Sequence, residues 1–234
     1  MTIPAPGIYG RVILEGNLPP ERPLPLDPNC ATVFAERFPD RDPTTGLFLR
    51  NTTGGLADVL VMIEGVERNS NGPEISGIVI EARACVFHPY VNACQTGQEL
   101  ILVNADQGLH SLHMSPTNET NKPLNMVMPP AGLSVSFRLQ GEEFFLRFKC
   151  DVHPWMFTYV NVLPHLYYSI TDTNGTFSIP QPPPGTYRMR VQHRKLVPVY
   201  RPIDVVHHRG RWEHFTLRME PSAPGRESAN PSQR

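Results

Sequence analysis

Cys150, His153 and Met156 stand at i, i+3 and i+6 in the stretch Lys149-Cys150-Asp151-Val152-His153-Pro154-Trp155-Met156. One short loop thus offers a thiolate, an imidazole and a thioether, a donor set that suits copper. A blue-copper centre needs a second imidazole in its trigonal plane, supplied from a neighbouring strand so that both oxidation states keep one geometry. His110 is the candidate, at the end of an apolar run that starts at Leu102 and passes through a turn. His113 follows it by three residues, and on a strand of period two those side chains face opposite ways, so His113 is expected on the outer face. His207, His208 and His214 fall in a basic, polar stretch with Trp212 and are read as a solvated loop and strand, a second metal site being the lesser reading.

The elements that must hold these ligands read as strands. The 234 residues include 26 prolines, where average usage would give about 12. Such a surplus argues against a helix-rich fold, so an all-β chain of one large or two small domains is expected. Residues 8–14 read as a first strand ending in a Gly-Asn-Leu-Pro-Pro turn, followed by a long polar, Pro-rich connection. Residues 56–63 are apolar enough for a fully buried strand. Short apolar or alternating runs recur at 78–86, 99–104, 135–139, 144–149 and 159–163, the pattern of a sandwich or barrel. Asp172-Thr173-Asn174-Gly175 predicts a type I′ hairpin between 167–171 and 176–179. Residues 186–192 and 212–219 read as further strands, and the polar tail from Glu220 as disordered.

Composition narrows the function. Lys plus Arg is 21 and Asp plus Glu is 22, a net charge of −1 that gives no reason to expect nucleic acid or anionic membrane as partner. The longest apolar run, residues 59–63, is far below the ~20 residues of a membrane span. The N-terminus shows no basic segment followed by a long apolar one, so no signal peptide is visible. No Cys-x-x-Cys pair, His-x-x-Glu zinc motif or Gly-x-Ser-x-Gly elbow occurs. Three Asn-x-Thr sequons, at Asn51, Asn118 and Asn174, would matter only in a eukaryotic secretory protein.

On these residues the chain resembles the cupredoxins, amicyanin most closely among them. The short ligand loop Cys-x-x-His-Pro-x-Met is matched by Cys150, His153, Pro154 and Met156, and an Asn six residues before the first His by Asn104 and His110. The resemblance implies a metal site of one type 1 copper ion, with Cys150, His110 and His153 in the plane and Met156 as weak axial donor. It also implies that the Asn104 amide ties the His110 strand to the ligand loop. Ser111 stands where such proteins often have Asn. Met114, Met126, Met128 and Trp155 are read as an apolar docking patch round His153, with core packing an equal reading for the three methionines.

The flanks resemble the carboxypeptidase regulatory-like β-sandwich, through Gly10 to Pro19, Asp172 to Ile179 and Pro183-Pro184-Gly185-Thr186-Tyr187. The two resemblances imply a cupredoxin Greek-key β-sandwich inserted in or flanked by this second, transthyretin- or Ig-like sandwich, as in bacterial methylamine-utilisation or plastocyanin-like proteins. The expected division is 1–72 and 165–220 for the sandwich, 73–164 for the copper domain and 221–234 for the tail. By the same resemblance Cys30 and Cys85 would form a disulfide; a Cys85 to Cys94 bridge competes, and the sequence does not choose between them.

The function implied is one-electron transfer between redox partner proteins, a cytochrome or dehydrogenase, in a periplasmic or extracellular setting, with no catalysis. The other reading is an accessory subunit of a larger surface complex in which copper is secondary or absent. A multicopper enzyme would need a second unit and more His ligands, and a binuclear centre a second Cys in the loop. Storage or delivery would favour exposed, exchangeable ligands over a buried rigid site.

Overall fold

A computed structural model describes residues 6–67, 76–130, 132, 134–206 and 209–219. Among them are sixteen strands and one helix, so the chain is all-β as its proline content requires. In chain order they are β1 (Gly7–Glu15), α1 (Pro28–Arg37), β2 (Leu60–Glu64), β3 (Ile78–Arg83), β4 (Val86–His88), β5 (Val91–Gln95), β6 (Glu99–Asn104), β7 (His110–Met114) and β8 (Leu124–Met128). There follow β9 (Ser134–Arg138), β10 (Glu143–Lys149), β11 (Phe157–Leu163), β12 (Tyr168–Ile170), β13 (Thr176–Pro180), β14 (Gly185–Gln192), β15 (Val199–Val205) and β16 (Arg211–Arg218).

The strands sort into four sheets. Two are built from the chain's ends, in the orders β13-β1-β16 and β12-β2-β14-β15. Between them lies a core of Ile8, Val12, Val61, Ile63, Met189 and Phe215 with their neighbours. The other two, β5-β11-β10-β7-β8 and β4-β3-β6-β9, are built from the middle of the chain and enclose Ile80, Leu102, Leu112, Phe148 and Val160. Strand β2 explains why residues 56–63 carry no polar alternation. Val61 and Ile63 face the first core, while Leu60 and Met62 face a third cluster with Ala93 and Leu163, where the two pairs of sheets meet. Both faces of this strand are therefore dry, and a fully buried strand has no place for a polar residue.

The turn at 172–175 forms, but not as the hairpin expected. Gly175 (φ +75°) is in the left-handed region while Asn174 is not, so the turn is not type I′. The Asp172 carboxylate accepts from the Asn174 and Thr176 amides, and Arg11 Nε donates to the Asn174 carbonyl at 2.8 Å. The chain then changes sheet: β12 pairs with β2, and β13 pairs antiparallel with β1. The Pro-rich connection contains α1, which the sequence reading did not include. Asp27 caps it by accepting from Cys30 N at 2.9 Å, Pro28 opens it, and the buried Cys30 and Phe34 point inward one turn apart. The tail beyond 219 and the residues 207 and 208 lie outside the described residues. No described helix is long and apolar enough to cross a membrane.

Candidate metal centre

The centre is built where β7 starts and β10 ends. These strands are antiparallel neighbours with Lys149 opposite His113, so the chain leaving β10 at Cys150 lies beside Ser111 and His110. Ser111 N donates to Cys150 Sγ at 3.3 Å, and its hydroxyl accepts from Asp151 N at 2.7 Å. The loop returns to β11 as a closed turn, with Cys150 N donating to Met156 O at 3.0 Å and Met156 N to His153 O at 2.9 Å. The six-residue spacing read from the sequence is thus a loop pinned to itself at both ends.

Three of the four expected ligands converge. His110 Nδ1 is 3.0 Å from His153 Nδ1, and Cys150 Sγ is 3.7 Å from that same nitrogen. One donor atom from each of the three lies within 4.8 Å of the others. His110 and Met156 are fully buried, Cys150 nearly so, and Met156 belongs to the same apolar cluster as Cys150. Two imidazole nitrogens and a sulfur aimed at one point, with a thioether on the same loop, fit a copper ion.

The electrostatics prepare the sulfur for this role. Burial alone would push the Cys150 thiol up, but hydrogen bonds from His110, the Ser111 amide and His153 outweigh it and bring it down to about 6. Burial likewise disfavours the charged form of His110, and its bonds to Asp106 and Cys150 outweigh that and raise it to about 9. At neutral pH the metal-free site holds a thiolate beside an imidazolium, so a soft cation finds its sulfur donor already deprotonated.

Asn104 does not bond as expected. Its amide donates to the carbonyls of Gly108, Met128 and Pro129 at 2.9, 3.0 and 3.1 Å, and its carbonyl accepts from Asp106 N. These bonds fasten the 105–109 turn leading into His110 to the end of β8, rather than to the 150–156 loop. The cause is placement: Asn104 is fully buried at the end of β6 and must satisfy its amide on the turn that covers it. His113 faces outward and pairs with Asp151 Oδ2 at 2.7 Å. Met114 and Met128 are buried and Met126 packs on them, so the methionines are core. His214 lies on the exposed side of β16, and its companions His207 and His208 are outside the described residues.

Two features escaped the sequence reading. Asp106 pairs with His110 Nε2 at 2.9 Å; an Asp four residues before the His, inside an Asn-x-Asp-x-Gly turn, was the available signal. The second is that α1 covers the outer edge of His153. Cys30 and Cys85 form a disulfide with Cα atoms 5.6 Å apart, and their sulfurs lie within 4.8 Å of a His153 nitrogen. Cys94 and Cys150 are free. Trp155 Nε1 donates to Cys85 O at 3.0 Å with its ring 5.2 Å from that of His153. The His153 side chain is only 12% exposed, with Nε2 3.9 Å from Asp27 Oδ2. Beside it opens a cleft of about 590 Å³ rimmed by the exposed Val33, Leu109 and Val152.

No family model matches the chain, and no curated protein matches it. Solved structures do, over less than half of its length. A copper-containing nitrite reductase (NirK) from Thermus scotoductus SA-01 is 16% identical with a TM-score of 0.33, covering 42% of this chain and 24% of the reductase. A mutant of amicyanin in the Cu(I) state is 14% identical with a TM-score of 0.33, covering 44% and 97%. A purple cupredoxin from Nitrosopumilus maritimus is 18% identical with a TM-score of 0.30, covering 38% and 99%. The chain spans about a quarter of the reductase and nearly the whole length of the other two.

Proposed function

We propose that His110, Cys150, His153 and Met156 hold one copper ion as a type 1 centre, and that the chain carries single electrons between redox partner proteins. The observation that carries this reading is the convergence of two Nδ1 atoms and a thiolate in a buried pocket. When bound, copper supplies the exchange between Cu(II) and Cu(I). The chain's own part is to keep the donors fixed and dry. The 150–156 loop closes on itself, Ser111 steadies the sulfur from β7, and the apolar wall of Leu112, Phe148 and Val160 excludes water. A donor set that does not move between oxidation states lowers the reorganisation that each electron transfer demands.

By this reading residues 73–164 form the copper unit, set between the two parts of a second sandwich, 1–72 and 165–220. The partner is a cytochrome or dehydrogenase, and the Cys30–Cys85 bridge suits an oxidising compartment such as the periplasm or the cell exterior. The test is voltammetry of the copper-loaded chain. A reversible one-electron wave that vanishes in Cys150→Ser supports the reading, and an irreversible or absent wave contradicts it.

A second reading, an accessory subunit of a larger assembly, is favoured by one observation. The sandwich formed by the chain's ends has its own core, and the His110-Cys150-His153 cluster lies outside it. An assembly role predicts a stable complex that survives Cys150→Ser, whereas electron transfer predicts transient exchange that does not.

A further inference from the structure

Asp106 is held more firmly than a surface carboxylate. Its Oδ1 accepts from Ala84 N at 2.6 Å and its Oδ2 from Cys85 N at 2.9 Å. Those amides point at one carboxylate because Ala84 and Cys85 both adopt left-handed backbone, with φ of 52° and 56°, in the tight turn between β3 and β4. Asp106 N donates in turn to Asn104 Oδ1 at 3.0 Å. Only 13% of the side chain is exposed. Against this fixed acceptor stands His110 Nε2 at 2.9 Å.

We propose that Asp106 is the positioning residue of the centre: it holds the His110 proton on Nε2, frees Nδ1 as a donor, and favours the oxidised ion through its charge. An ionised carboxylate can only accept, so one hydrogen must sit on Nε2, and the proton that the metal-free imidazolium carries on Nδ1, the atom that faces His153, is the one a metal would displace. A carboxylate bonded to a ligating imidazole increases its donor strength. That strengthening stabilises the more highly charged Cu(II) over Cu(I) and lowers the potential. Among the described residues the other imidazole has no such bond: Asp27 Oδ2 is 3.9 Å from His153 Nε2, beyond hydrogen-bond reach. The two histidines are therefore unequal, and the inequality comes from the 105–109 turn. This inference rests on the copper reading above.

The experiment compares the copper-loaded full chain with Asp106→Asn and, as a matched control, Asp27→Asn. Asparagine caps a helix as well as aspartate does, so the control removes a nearby charge without losing the α1 cap. Asp106→Asn is expected to keep the thiolate-to-copper band and to raise the Cu(I):Cu(II) ratio at fixed ambient potential by about tenfold, which is about 59 mV for one electron. Asp27→Asn is expected to shift it by less than a third of that in mV. An unchanged potential in Asp106→Asn alongside an intact band overturns the assignment and leaves the copper reading standing. Equal shifts in both variants also overturn it, since charge alone would then suffice. Absence of the band from the unsubstituted chain removes both. Imidazole nitrogen NMR of the unsubstituted Cu(I) protein needs no variant to fold: a slowly exchanging His110 Nε2–H is expected, and a proton exchanging at the solvent-exposed rate overturns the assignment.

Discussion

Replacing Cys30 and Cys85 together by serine removes a covalent tie between α1 and the turn after β3, two segments 55 residues apart. The chain-entropy relation for a closed loop of that length gives about 4 kcal/mol at 25 °C, lost because the unfolded chain regains the freedom that the bridge denied it. Both sulfurs are buried, so two new hydroxyls add a smaller cost of the same sign. The assay is urea unfolding of the metal-free protein, oxidised chain against Cys30→Ser/Cys85→Ser. At an m-value of about 2 kcal/mol per molar urea the midpoint should fall by about 2 M. Hydrogen exchange across 28–37 should rise in parallel, since Phe34, Phe38 and the Asp27 cap remain as its anchors. Thiol counting provides the internal check: the denatured, unreduced wild-type chain should show two free thiols, Cys94 and Cys150. A midpoint shift below about 0.5 M, or four free thiols, would refute the reasoning.

The other expected outcomes concern distinct parts of the molecule. Burial raises Asp58 to about 6, with Arg41 and Arg194 pulling it down in part. The fold therefore binds this proton more tightly than the unfolded chain, whose value is 3.8; the contribution of this group to stability is fullest below about pH 4 and declines as pH rises through about 6, by about 3 kcal/mol at pH 7. Asp58→Asn, which tolerates the local φ of 61°, should abolish that decline in a pH series of unfolding curves, and an unchanged pH profile would contradict it. Gly175→Ala should cost more than about 2 kcal/mol by the same assay, because a Cβ there meets Val12 O at 2.2 Å and the backbone is left-handed; a neutral effect would mean that the 172–175 turn is built otherwise. Met156→Leu should retain the blue colour and raise the potential, since a thioether would be a weak donor to copper, and a colourless protein would remove Met156 from its assigned place.

The elements were legible where one force dominates. Runs at 99–104 and 144–149 match β6 and β10 almost residue for residue; β6 alternates against one core in one register, while β10 is apolar enough to be read despite a bulge between Glu143 and Leu146. Strand β5 was not read: Asn92 and Cys94 interrupt its apolar pattern, yet Asn92 is buried and satisfied by Thr158 Oγ1 across the sheet at 2.9 Å. Helix α1 was hidden by the prolines around it, although Asp27-Pro28 is a start signal in its own right. At 172–175 the Asx geometry of Asp172 is local and could be anticipated in kind; the change of sheet after it depends on Arg11 and β1, over 160 residues away. The candidate residues Cys150, His153 and Met156 were legible as a group because they share one short loop, whereas His110 meets them only through the pairing of β7 with β10. Asp106 was signalled only by its place four residues before His110, because the Ala84 and Cys85 amides that fix it arrive only when β3 and β6 are assembled. Nor could the sequence choose the Cys30–Cys85 pairing, which depends on where α1 docks.

The central claim is that His110, Cys150 and His153 would hold one copper ion through two imidazoles and a thiolate. Its most direct test is the visible and electron paramagnetic resonance spectrum of the full chain after addition of Cu(II) and removal of excess metal. An intense blue thiolate-to-copper band with narrow parallel hyperfine splitting, at one copper per chain, is the predicted result. A colourless protein, or one with only the broad splitting of tetragonal copper, would contradict the claim and give the lead to the accessory-subunit reading.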